Sequence, residues 1–344
     1  WIFYINVPIG IAALAGIFLF LPETQRRIRK FDFFGFAALS IGVGALQFML
    51  DRGAQLDWFR SPEVLIETAL AIAAFWIFMI HTVTSREPFL DRRLFIDRNF
   101  TASLIFIFII GIILLATMAL LPPMLQNLFG YPIVTVGLVL APRGFGTMAS
   151  MMLVGRLMNR VDPRLLIVSG LALTALSLWQ MTFFSMGMGS WPVITSGIIQ
   201  GFGLGFVFIP LSTVAFRTLD PTLRTEASSL FNLVRNLGSS IGISIVAAAL
   251  ASSVQTSHAD LAAHITLWSD NLAAAGMDPA AMTPEVAAQL DGMINMQALM
   301  IAYLNDFHLM LWITLAAAPL LLFLRYNRAA DGGTRSAPPV AMAD

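Results

Sequence analysis

The chain consists of long apolar runs, each separated from the next by charged residues, proline or glycine. A transmembrane helix needs about 20 consecutive apolar residues to cross a hydrocarbon core of roughly 30 Å. Backbone polar groups inside lipid must be hydrogen-bonded within their own segment, so such runs predict helices rather than an open sheet. Nine of them lie at approximately 3–22, 33–50, 63–82, 100–121, 133–155, 165–186, 192–213, 227–250 and 303–325. We therefore expect an all-α membrane protein with about nine transmembrane helices.

Composition agrees with a chain that lies mostly in lipid. Of 344 residues, 58% are hydrophobic and 12% are charged, whereas soluble domains carry about 25% charged residues. The net charge of zero gives no reason to expect a nucleic-acid partner, and the absence of cysteine excludes disulfides and thiolate metal sites. The chain starts at Trp1 without a signal peptide, so we expect a truncated or artificial start.

The positions of the 20 lysine and arginine residues predict an orientation. Arg52 and Arg60 lie in connections on one side of the predicted membrane, and Arg143 and Arg235 lie inside helices. The others lie in the alternate connections and the tail, at Arg26, Arg27, Arg29, Lys30, Arg86, Arg92, Arg93, Arg98, Arg156, Arg160, Arg164, Arg217, Arg224, Arg325, Arg328 and Arg335. Cytoplasmic connections are enriched in lysine and arginine. The C-terminus is therefore predicted in the cytoplasm and Trp1 outside.

The longest connection, approximately residues 251–302, is predicted outside and contains no lysine or arginine. Its stretches Asp260–Leu272 and Pro284–Ile301 have the apolar spacing of helices. We expect two short amphipathic helices near the membrane surface, packed on it or in contact with a partner. A solvated extension without a partner is the alternative, because long loops tolerate insertions.

The sequence contains none of the common motifs of soluble enzymes. It lacks a glycine-rich phosphate loop, a G-x-S-x-G nucleophile elbow and an H-E-x-x-H zinc motif. The four histidines, His81, His258, His264 and His308, do not have the spacing of a metal site. We therefore predict no catalytic residues, no metal site and no cofactor.

Charge inside a membrane helix is rare and frequently functional. Arg143 lies about 11 residues into the fifth run, which at 1.5 Å per residue is close to the bilayer centre. Pro142 and Gly144 beside it loosen the helix, and such a break is tolerated where it faces protein or a water-filled cavity. We expect Arg143 to act in a cavity or gate. Pairing with carbonyls at a helix end is the alternative.

The eighth run carries a polar stripe that includes Arg235. Its members recur at steps of three and four residues and so share one helix face; they are Ser228, Asn232, Arg235, Ser239 and Gly242. We expect Asn232, Arg235 and the neighbouring Asn236 to contact a transport cavity or gate. Ser239, with Gly238 and Gly242, is expected to form a packing seam.

Three further predictions concern small and acidic residues. Glycine recurs every fourth residue at Gly197, Gly201 and Gly205, which indicates a packing face, and Gln200 beside it could reach a cavity. Proton coupling needs a carboxyl group whose pKa is shifted by partial burial. Glu67 and Asp306 are weak candidates for that role, and a solvated position near the membrane surface is the alternative for both.

Four segments resemble a known family of membrane transporters. They are W-I-F-Y-I-N-V-P-I-G at 1–10, L-D-R-G-A-Q-L-D-W-F at 50–59, G-Y-P-I-V-T-V-G-L-V-L-A-P at 130–142 and S-S-L-F-N-L-V-R-N-L-G-S-S-I-G at 228–242. Together they resemble the fourteen-helix drug/proton antiporters of the major facilitator superfamily, the EmrB/QacA type. The segment G-R-L-M-N-R-V-D-P-R at 155–164 is similar to the short cytoplasmic loop motif of that superfamily. Asn159 stands where the first copy of the motif has an acid, so the charged latch of that copy is not expected here.

The resemblance implies a division of the chain and a partial major facilitator fold. Residues 1–30 would be the last helix of the N-terminal bundle, and residues 31–99 two inserted linker helices. Residues 100–326 would form the C-terminal six-helix bundle, with 251–302 as a periplasmic loop, and residues 327–344 a cytoplasmic tail. The first five helices of the family, which carry its main proton-coupling acid, would be absent from this chain.

The resemblance also implies a function. The implied function is multidrug efflux by a multi-pass, proton-coupled antiporter of the bacterial inner membrane, which exports small amphipathic compounds by alternating access. The implied partners are the lipid bilayer, a periplasmic adaptor docked on 251–302 and an outer-membrane channel, and the implied energy source is the proton gradient. A non-transporting remnant or scaffold, and an exporter of a lipid, a siderophore or an amino acid, remain as alternatives.

Overall fold

A computed structural model describes residue 4 and residues 6–20, 31–53, 55–264 and 283–323. Within these ranges the ordered elements are all helical. The α-helices are α1 (Asn6–Phe20), α2 (Phe33–Gly53), α3 (Pro62–Thr84), α4 (Arg93–Ile96), α5 (Arg98–Asn127), α6 (Ile133–Leu157), α7 (Pro163–Met181), α8 (Trp191–Arg217), α9 (Arg224–Ala263) and α10 (Pro284–Ala317). Short 3₁₀-helices cover Trp58–Arg60, Pro221–Leu223 and Ala318–Phe323.

Among the described residues, eight helices, α2, α3 and α5–α10, are long and apolar enough to cross a membrane. They correspond to eight of the nine predicted runs, and they confirm the predicted fold class of an all-α membrane protein. The first run corresponds to α1, of which 15 residues are described. At 1.5 Å per residue these 15 residues extend about 22 Å, which is less than the roughly 30 Å of a hydrocarbon core.

Several helices begin at a residue whose side chain caps the first turn. The Asp97 carboxylate accepts a hydrogen bond from the Phe100 N–H at 2.8 Å, and the Asp162 carboxylate accepts one from the Arg164 N–H at 2.9 Å. The Thr283 hydroxyl accepts a hydrogen bond from the N–H of Val286 at 3.3 Å. Such caps satisfy N–H groups that lack a partner within the helix. They fix the residues at which α5, α7 and α10 begin.

The last two helices are much longer than the sequence analysis predicted. Helix α9 has 40 residues and α10 has 34. The prediction of separate short amphipathic helices is wrong for Pro284–Ile301, which is the first half of α10. It is also wrong for the start of Asp260–Leu272, which is the end of α9; residues 265–272 lie outside the described residues. No proline or glycine interrupts residues 243–263, and alanine is frequent there, so the helix continues beyond the apolar segment.

The end of α9 and the start of α10 lie side by side as an extended helical hairpin, here defined as residues 251–263 and 284–302. The His258 ring nitrogen Nε2 lies 3.0 Å from Asp291 Oδ1. Near the base of the hairpin, the Asn305 amide donates to the Ser253 hydroxyl at 2.8 Å. At about 60 Å, α9 is roughly twice as long as a bilayer core is thick. The hairpin therefore reaches beyond the lipid on one side.

The bundle is formed by helix pairs that pack closely. Helix α8 packs against α6 and α7, α5 packs against α9, and α10 packs against α9, α7 and α5. Glycine permits the α7–α8 approach, because a Cβ atom on Gly203 would lie 2.7 Å from the Gly170 carbonyl oxygen. Two apolar clusters fill the interior, one around Phe100, Ile107 and Phe231 and the other around Leu121 and Phe307.

Helices α2 and α3 form a hairpin of their own, which a hydrogen bond from α9 joins to the bundle near the end of α2. The Ser244 hydroxyl of α9 donates to the Leu50 carbonyl at 3.1 Å. At the other end, the Asp32 carboxylate accepts from the N–H groups of Gly35 at 3.0 Å and Phe89 at 2.9 Å, and its Oδ2 lies 2.9 Å from Nε2 of His81. Burial by itself raises the pKa of Asp32, but these hydrogen bonds and the nearby His81 ring hold that pKa below its ordinary value of 3.8. The assignment of 31–99 as an inserted unit stays a prediction.

Candidate functional site

A cavity of about 790 Å³ lies among α5, α6, α8 and α9. Apolar side chains form most of its wall, and two arginines interrupt them. The lining residues are Ile110, Leu114, Met118, Leu140, Ala141, Arg143, Gly144, Thr147, Met148, Met151, Leu204, Phe208 and Arg235. The cavity therefore brings together Arg143 and Arg235, which the sequence analysis singled out separately.

Arg143 is almost completely buried, with 8% of its surface exposed. Its Nη2 atom has no hydrogen-bond partner among the described residues. Helix α6 continues through Pro142 without interruption, so the helix break expected beside Arg143 does not occur. Arg143 lines the cavity, while its Nη2 atom is enclosed and is not engaged with the carbonyls of a helix end.

Arg235 reaches the same cavity from α9 and is half-buried. Its guanidinium carbon Cζ lies 5.8 Å from the centre of the Phe208 ring. At this distance the negative face of an aromatic ring attracts a cation. Phe208 was not recognised from the sequence, although Leu204 and Phe208 stand four residues apart on α8 and so share a helix face.

The glycines of α8 face α6 at the level of Arg143. A Cβ atom on Gly201 would collide with the Arg143 carbonyl oxygen, and one on Gly205 would collide with the Ser150 side chain. A Cβ atom on Gly197 would lie 3.7 Å from the Arg143 Cβ, which is an ordinary contact. The small residues let the α6 backbone approach α8 and so fix where the Arg143 side chain starts.

Gln200 does not reach the cavity. It is fully buried, and its amide donates to the Thr117 hydroxyl at 3.2 Å. Its carbonyl oxygen Oε1 has no partner among the described residues. The expected cavity contact is therefore corrected. Gln200 precedes Gly201 by one residue, so its side chain points about 100° away from the α6-facing side of the helix, toward α5.

The polar stripe of α9 divides between two environments. Ser239 donates to the Gly111 carbonyl of α5 at 3.2 Å, and a Cβ on Gly242 would lie 2.6 Å from Ile112 Cα. On Gly238 a Cβ would collide with the Phe108 carbonyl oxygen. These residues form the contact between α5 and α9.

Asn232 and Asn236 are exposed and do not line this cavity, so their contact with a transport cavity or gate stays a prediction. The Asn232 amide donates to the Ser228 carbonyl of its own helix at 2.9 Å. Residues three and four positions apart share a helix face only approximately. On α9, α5 and the cavity cover this face from Arg235 onward.

The two acidic candidates lie in different surroundings. Asp306 is 1% exposed, and its Oδ2 has no hydrogen-bond partner among the described residues, so the alternative of a solvated position does not hold for it. Glu67 is half-buried, and its Oε2 also lacks a described partner. Neither lines the cavity. No group of three or more histidine, aspartate or glutamate residues that could hold a metal ion is present in the part of the chain that the structure describes.

Comparison with known proteins identifies the family. The model of the Major Facilitator Superfamily matches residues 1–243. The multidrug export protein EmrB of Escherichia coli K12 is 33% identical over 343 residues, which cover 97% of this chain and 66% of EmrB. The fatty acid resistance protein FarB of Neisseria gonorrhoeae is 34% identical over 274 residues, or 79% of this chain and 54% of FarB. The lincomycin resistance protein LmrB of Listeria monocytogenes is 27% identical over 246 residues, or 71% of this chain and 52% of LmrB.

The chain thus spans between about half and 66% of the length of these relatives. The superfamily match covers α1–α8, which include six of the eight membrane-length helices, and α9 as far as residue 243. It agrees with the all-helical architecture and confirms the resemblance seen in the four sequence segments. The chain belongs to the Major Facilitator Superfamily, and within it to the EmrB type.

Proposed function

We propose that this chain is the larger part of a proton-coupled multidrug efflux transporter, an antiporter that exports amphipathic compounds. The observation that carries the proposal is the cavity between α5, α6, α8 and α9. Its volume of about 790 Å³ lies within the roughly 300–1,000 Å³ range of sites for drug-sized ligands. The wall combines a large apolar surface with a few polar groups, which is the composition of such sites.

The wall of the cavity suits ligands of different shapes. Met118, Met148 and Met151 contribute flexible, polarisable side chains, which can adapt to several partners. Sites of this kind in secondary transporters lie near the bilayer midplane and open alternately to the two sides. An alternating-access cycle around this cavity is therefore the mechanism that we propose, with no cofactor and with the proton gradient as the energy source.

Proton coupling requires a carboxyl group that can bind and release a proton during the cycle. Asp306 and Glu67 are the candidates within this chain, and Asp306 is the stronger one because it is buried in the helix bundle. The names of the relatives agree with export of toxic compounds: a multidrug export protein, a fatty acid resistance protein and a lincomycin resistance protein. The family and the composition place the chain in a membrane as a multi-pass protein.

We further propose an orientation and a location. The lysine and arginine distribution favours a cytoplasmic C-terminus. In that orientation the extended hairpin of α9 and α10 stands outside, and in a Gram-negative inner membrane it would enter the periplasm. The hairpin is the proposed docking surface for an adaptor that leads to an outer-membrane channel.

The test is an efflux assay with the complete gene product. Cells without their major exporters should retain less of a fluorescent amphipathic dye when they express it, and a protonophore should abolish the difference. Arg235→Ala should abolish the efflux while membrane insertion stays normal, because it removes one of the two cavity cations. Normal insertion without any efflux, for dyes and for lipid, siderophore and amino-acid substrates, would favour a scaffold or remnant instead.

A further inference from the structure

A second pocket, here called the interfacial pocket, lies between the end of α6, the start of α7 and the end of α8. We propose that it binds the headgroup of an anionic phospholipid through the phosphate. The site is separate from the proposed transport cavity, because no residue lines both. In the proposed orientation it opens toward the cytoplasmic leaflet.

The interfacial pocket has a volume of about 360 Å³ and a wall with a polar and an apolar part. The polar lining residues are Asn159, Thr213 and Arg217, and the others are Gly155, Met158, Pro163, Ile209 and Val214. Thr213 donates its hydroxyl to the Ile209 carbonyl of its own helix at 2.9 Å. The Arg217 guanidinium is half-buried and has five N–H donors, so it can bind a phosphate in addition to a partner in the protein. A phosphate at the polar part and the start of an acyl chain along the apolar part fit one phospholipid.

The position of the interfacial pocket favours a lipid over a soluble ligand. Helix α6 ends at Leu157, α7 begins at Pro163 and α8 ends at Arg217. All three helices are long and apolar enough to cross a membrane. The ends of such helices lie at the level of the polar headgroups, so phospholipid phosphates are the anions nearest to the pocket.

Positive charge predominates around the interfacial pocket. Residues 155–164 and 209–220 contain four arginines and two acids; the arginines are Arg156, Arg160, Arg164 and Arg217. Neither acid lines the pocket, and both cap a helix: Asp162 accepts from the Arg164 N–H at 2.9 Å, and Asp220 accepts from the Thr222 N–H at 2.8 Å. Basic pockets between membrane helices bind anionic headgroups, and each arginine near the membrane surface contributes about 1 kcal/mol. An anionic phospholipid is therefore favoured over a zwitterionic one.

Gly155 offers a way to close the interfacial pocket without a change of charge. It lines the pocket, and nothing lies within 4 Å of the position that its Cβ atom would take. A leucine at this position can therefore begin in open space and occupy part of the volume that the lipid would take. Gly137 on the same helix also has open space at its Cβ position but does not line the pocket.

The experiment measures binding to the complete gene product by native mass spectrometry, which resolves each bound lipid molecule. The probes are phosphatidylglycerol, phosphatidylcholine with the same acyl chains, and glycerol 3-phosphate, which has the phosphate without the chains. Arg217→Gln removes the charge in the pocket, and Gly155→Leu fills it. The matched controls are Gly137→Leu and Arg98→Gln, because Arg98 is an exposed arginine on the same predicted side of the membrane and does not line the pocket.

We expect the wild type to bind its first phosphatidylglycerol about tenfold more tightly than phosphatidylcholine, which corresponds to about 1.4 kcal/mol. Arg217→Gln should remove this preference, and Gly155→Leu should weaken the binding of both lipids. Both controls should bind like wild type, and glycerol 3-phosphate should bind at least tenfold more weakly than phosphatidylglycerol. If Arg217→Gln does not fold, as judged by size exclusion and thermal unfolding, Gly155→Leu and the preference of the wild type decide.

Four results would overturn the proposal. Equal affinity of the wild type for the two lipids would remove the selectivity for an anionic headgroup. Unchanged phosphatidylglycerol binding in Arg217→Gln or in Gly155→Leu would place the bound lipid elsewhere. An equal loss in Arg98→Gln would indicate a general attraction to the arginine-rich surface, and equally tight binding of glycerol 3-phosphate would indicate a site for a soluble phosphate compound. Lipid binding is measured without transport, so none of these results decides the proposed efflux function.

Discussion

Asp306 occupies an unusual position for an acidic residue near the end of an apolar run. It lies inside the bundle between Tyr303 and Phe307 of the same helix, both of which are also buried. Its neighbour Asn305 faces the other way and donates to Ser253. A carboxyl group inside a membrane bundle without a described partner on Oδ2 is a candidate to carry protons by default.

We predict that Asp306→Asn uncouples transport from protons. An amide keeps the shape of the carboxyl group but cannot take up or release a proton. In proteoliposomes, dye transport driven by an imposed pH gradient should fall on the order of tenfold or more. Exchange of dye across the membrane without a gradient should persist.

Asp260→Asn serves as the control for this experiment, because Asp260 is exposed on the extended hairpin. It should transport like wild type. If gradient-driven transport by Asp306→Asn stays normal, or if exchange is lost to the same extent, Asp306 has a structural role and the proton site lies elsewhere.

The sequence indicates the surroundings of a residue best where that residue's own helix determines them. Arg143 and Arg235 are intramembrane charges on any reading of the hydropathy pattern, and both line the cavity. The burial of Gln200 and of Asp306 was not foreseen, because their surroundings come from other helices. Thr117, which receives the Gln200 amide, is 83 residues away in the sequence.

At the scale of helices, the contact between α6 and α8 depends on glycine at one position. A Cβ atom on Gly201 would meet the backbone oxygen of Arg143, which cannot move without the helix. We predict that Gly201→Ala lowers the unfolding temperature in detergent, because overpacking of a close contact costs about 1–3 kcal/mol. The variant should also weaken transport, since it displaces Arg143.

Gly137→Ala provides the matched comparison on α6. Nothing lies within 4 Å of the position that its Cβ would take, and alanine favours a helix over glycine by roughly 0.8–1.0 kcal/mol. This variant should therefore unfold at the same temperature as wild type or a higher one. Equal destabilisation by both substitutions would show that the α6–α8 distance is not set by Gly201.

The α2–α3 hairpin depends on the Asp32 carboxylate, which joins the start of α2, the end of α3 and the following loop. We predict that Asp32→Asn lowers the unfolding temperature at neutral pH, because the charged acceptor of three donors is lost. The folded state holds the pKa of Asp32 below 3.8. Its contribution should therefore be complete at pH values well above 3.8 and disappear as the pH falls below it.

Asp51→Asn is the control for this pH series. Asp51 lies on the same helix, is exposed and accepts only from the Gln47 side chain among the hydrogen bonds seen for it. Its substitution should change the unfolding temperature little at any pH. A difference between wild type and Asp32→Asn that does not shrink in acid would contradict the role given to this carboxylate.

The helices themselves were predictable from apolar runs, because a membrane admits only segments of sufficient length and apolarity. Their ends were less predictable. The hydropathy of α9 is low after its apolar segment, and that of α10 is low before its own. Both helices nevertheless extend there, because no proline interrupts residues 243–263 or 285–302 and the two extensions support each other through His258 and Asp291. Hydropathy measures solvent preference, and helix continuation in water depends instead on propensity and on a packing partner.

At the scale of the whole molecule, the extended hairpin is the largest feature that the cavity does not explain. Its inner side pairs α9 with α10, whereas Met293 and Met296 are exposed on α10. Residues 251–302 contain no lysine or arginine and include Asp260, Glu285 and Asp291. An acidic surface with exposed methionines is suited to a partner that is basic around an apolar centre.

Two changes test whether an adaptor docks there. Deletion of 255–298, joined by a short glycine linker, removes most of both arms beyond the contact between Ser253 and Asn305. A milder variant carries Met293→Glu and Met296→Glu, and Gln297→Glu, an exposed change on the same helix, is its control. The deletion and the double variant should abolish crosslinking to the adaptor and resistance in cells, because docking is lost.

Transport of dye by the purified protein in proteoliposomes should remain, since the cavity is not changed by either variant. A variant that loses crosslinking and resistance but keeps transport in proteoliposomes is defective in docking and not in the transport step. If crosslinking and resistance survive the deletion, the hairpin is a solvated extension. If transport in proteoliposomes is lost together with resistance, the hairpin acts on the bundle through α9 and α10, and the adaptor must bind a different surface.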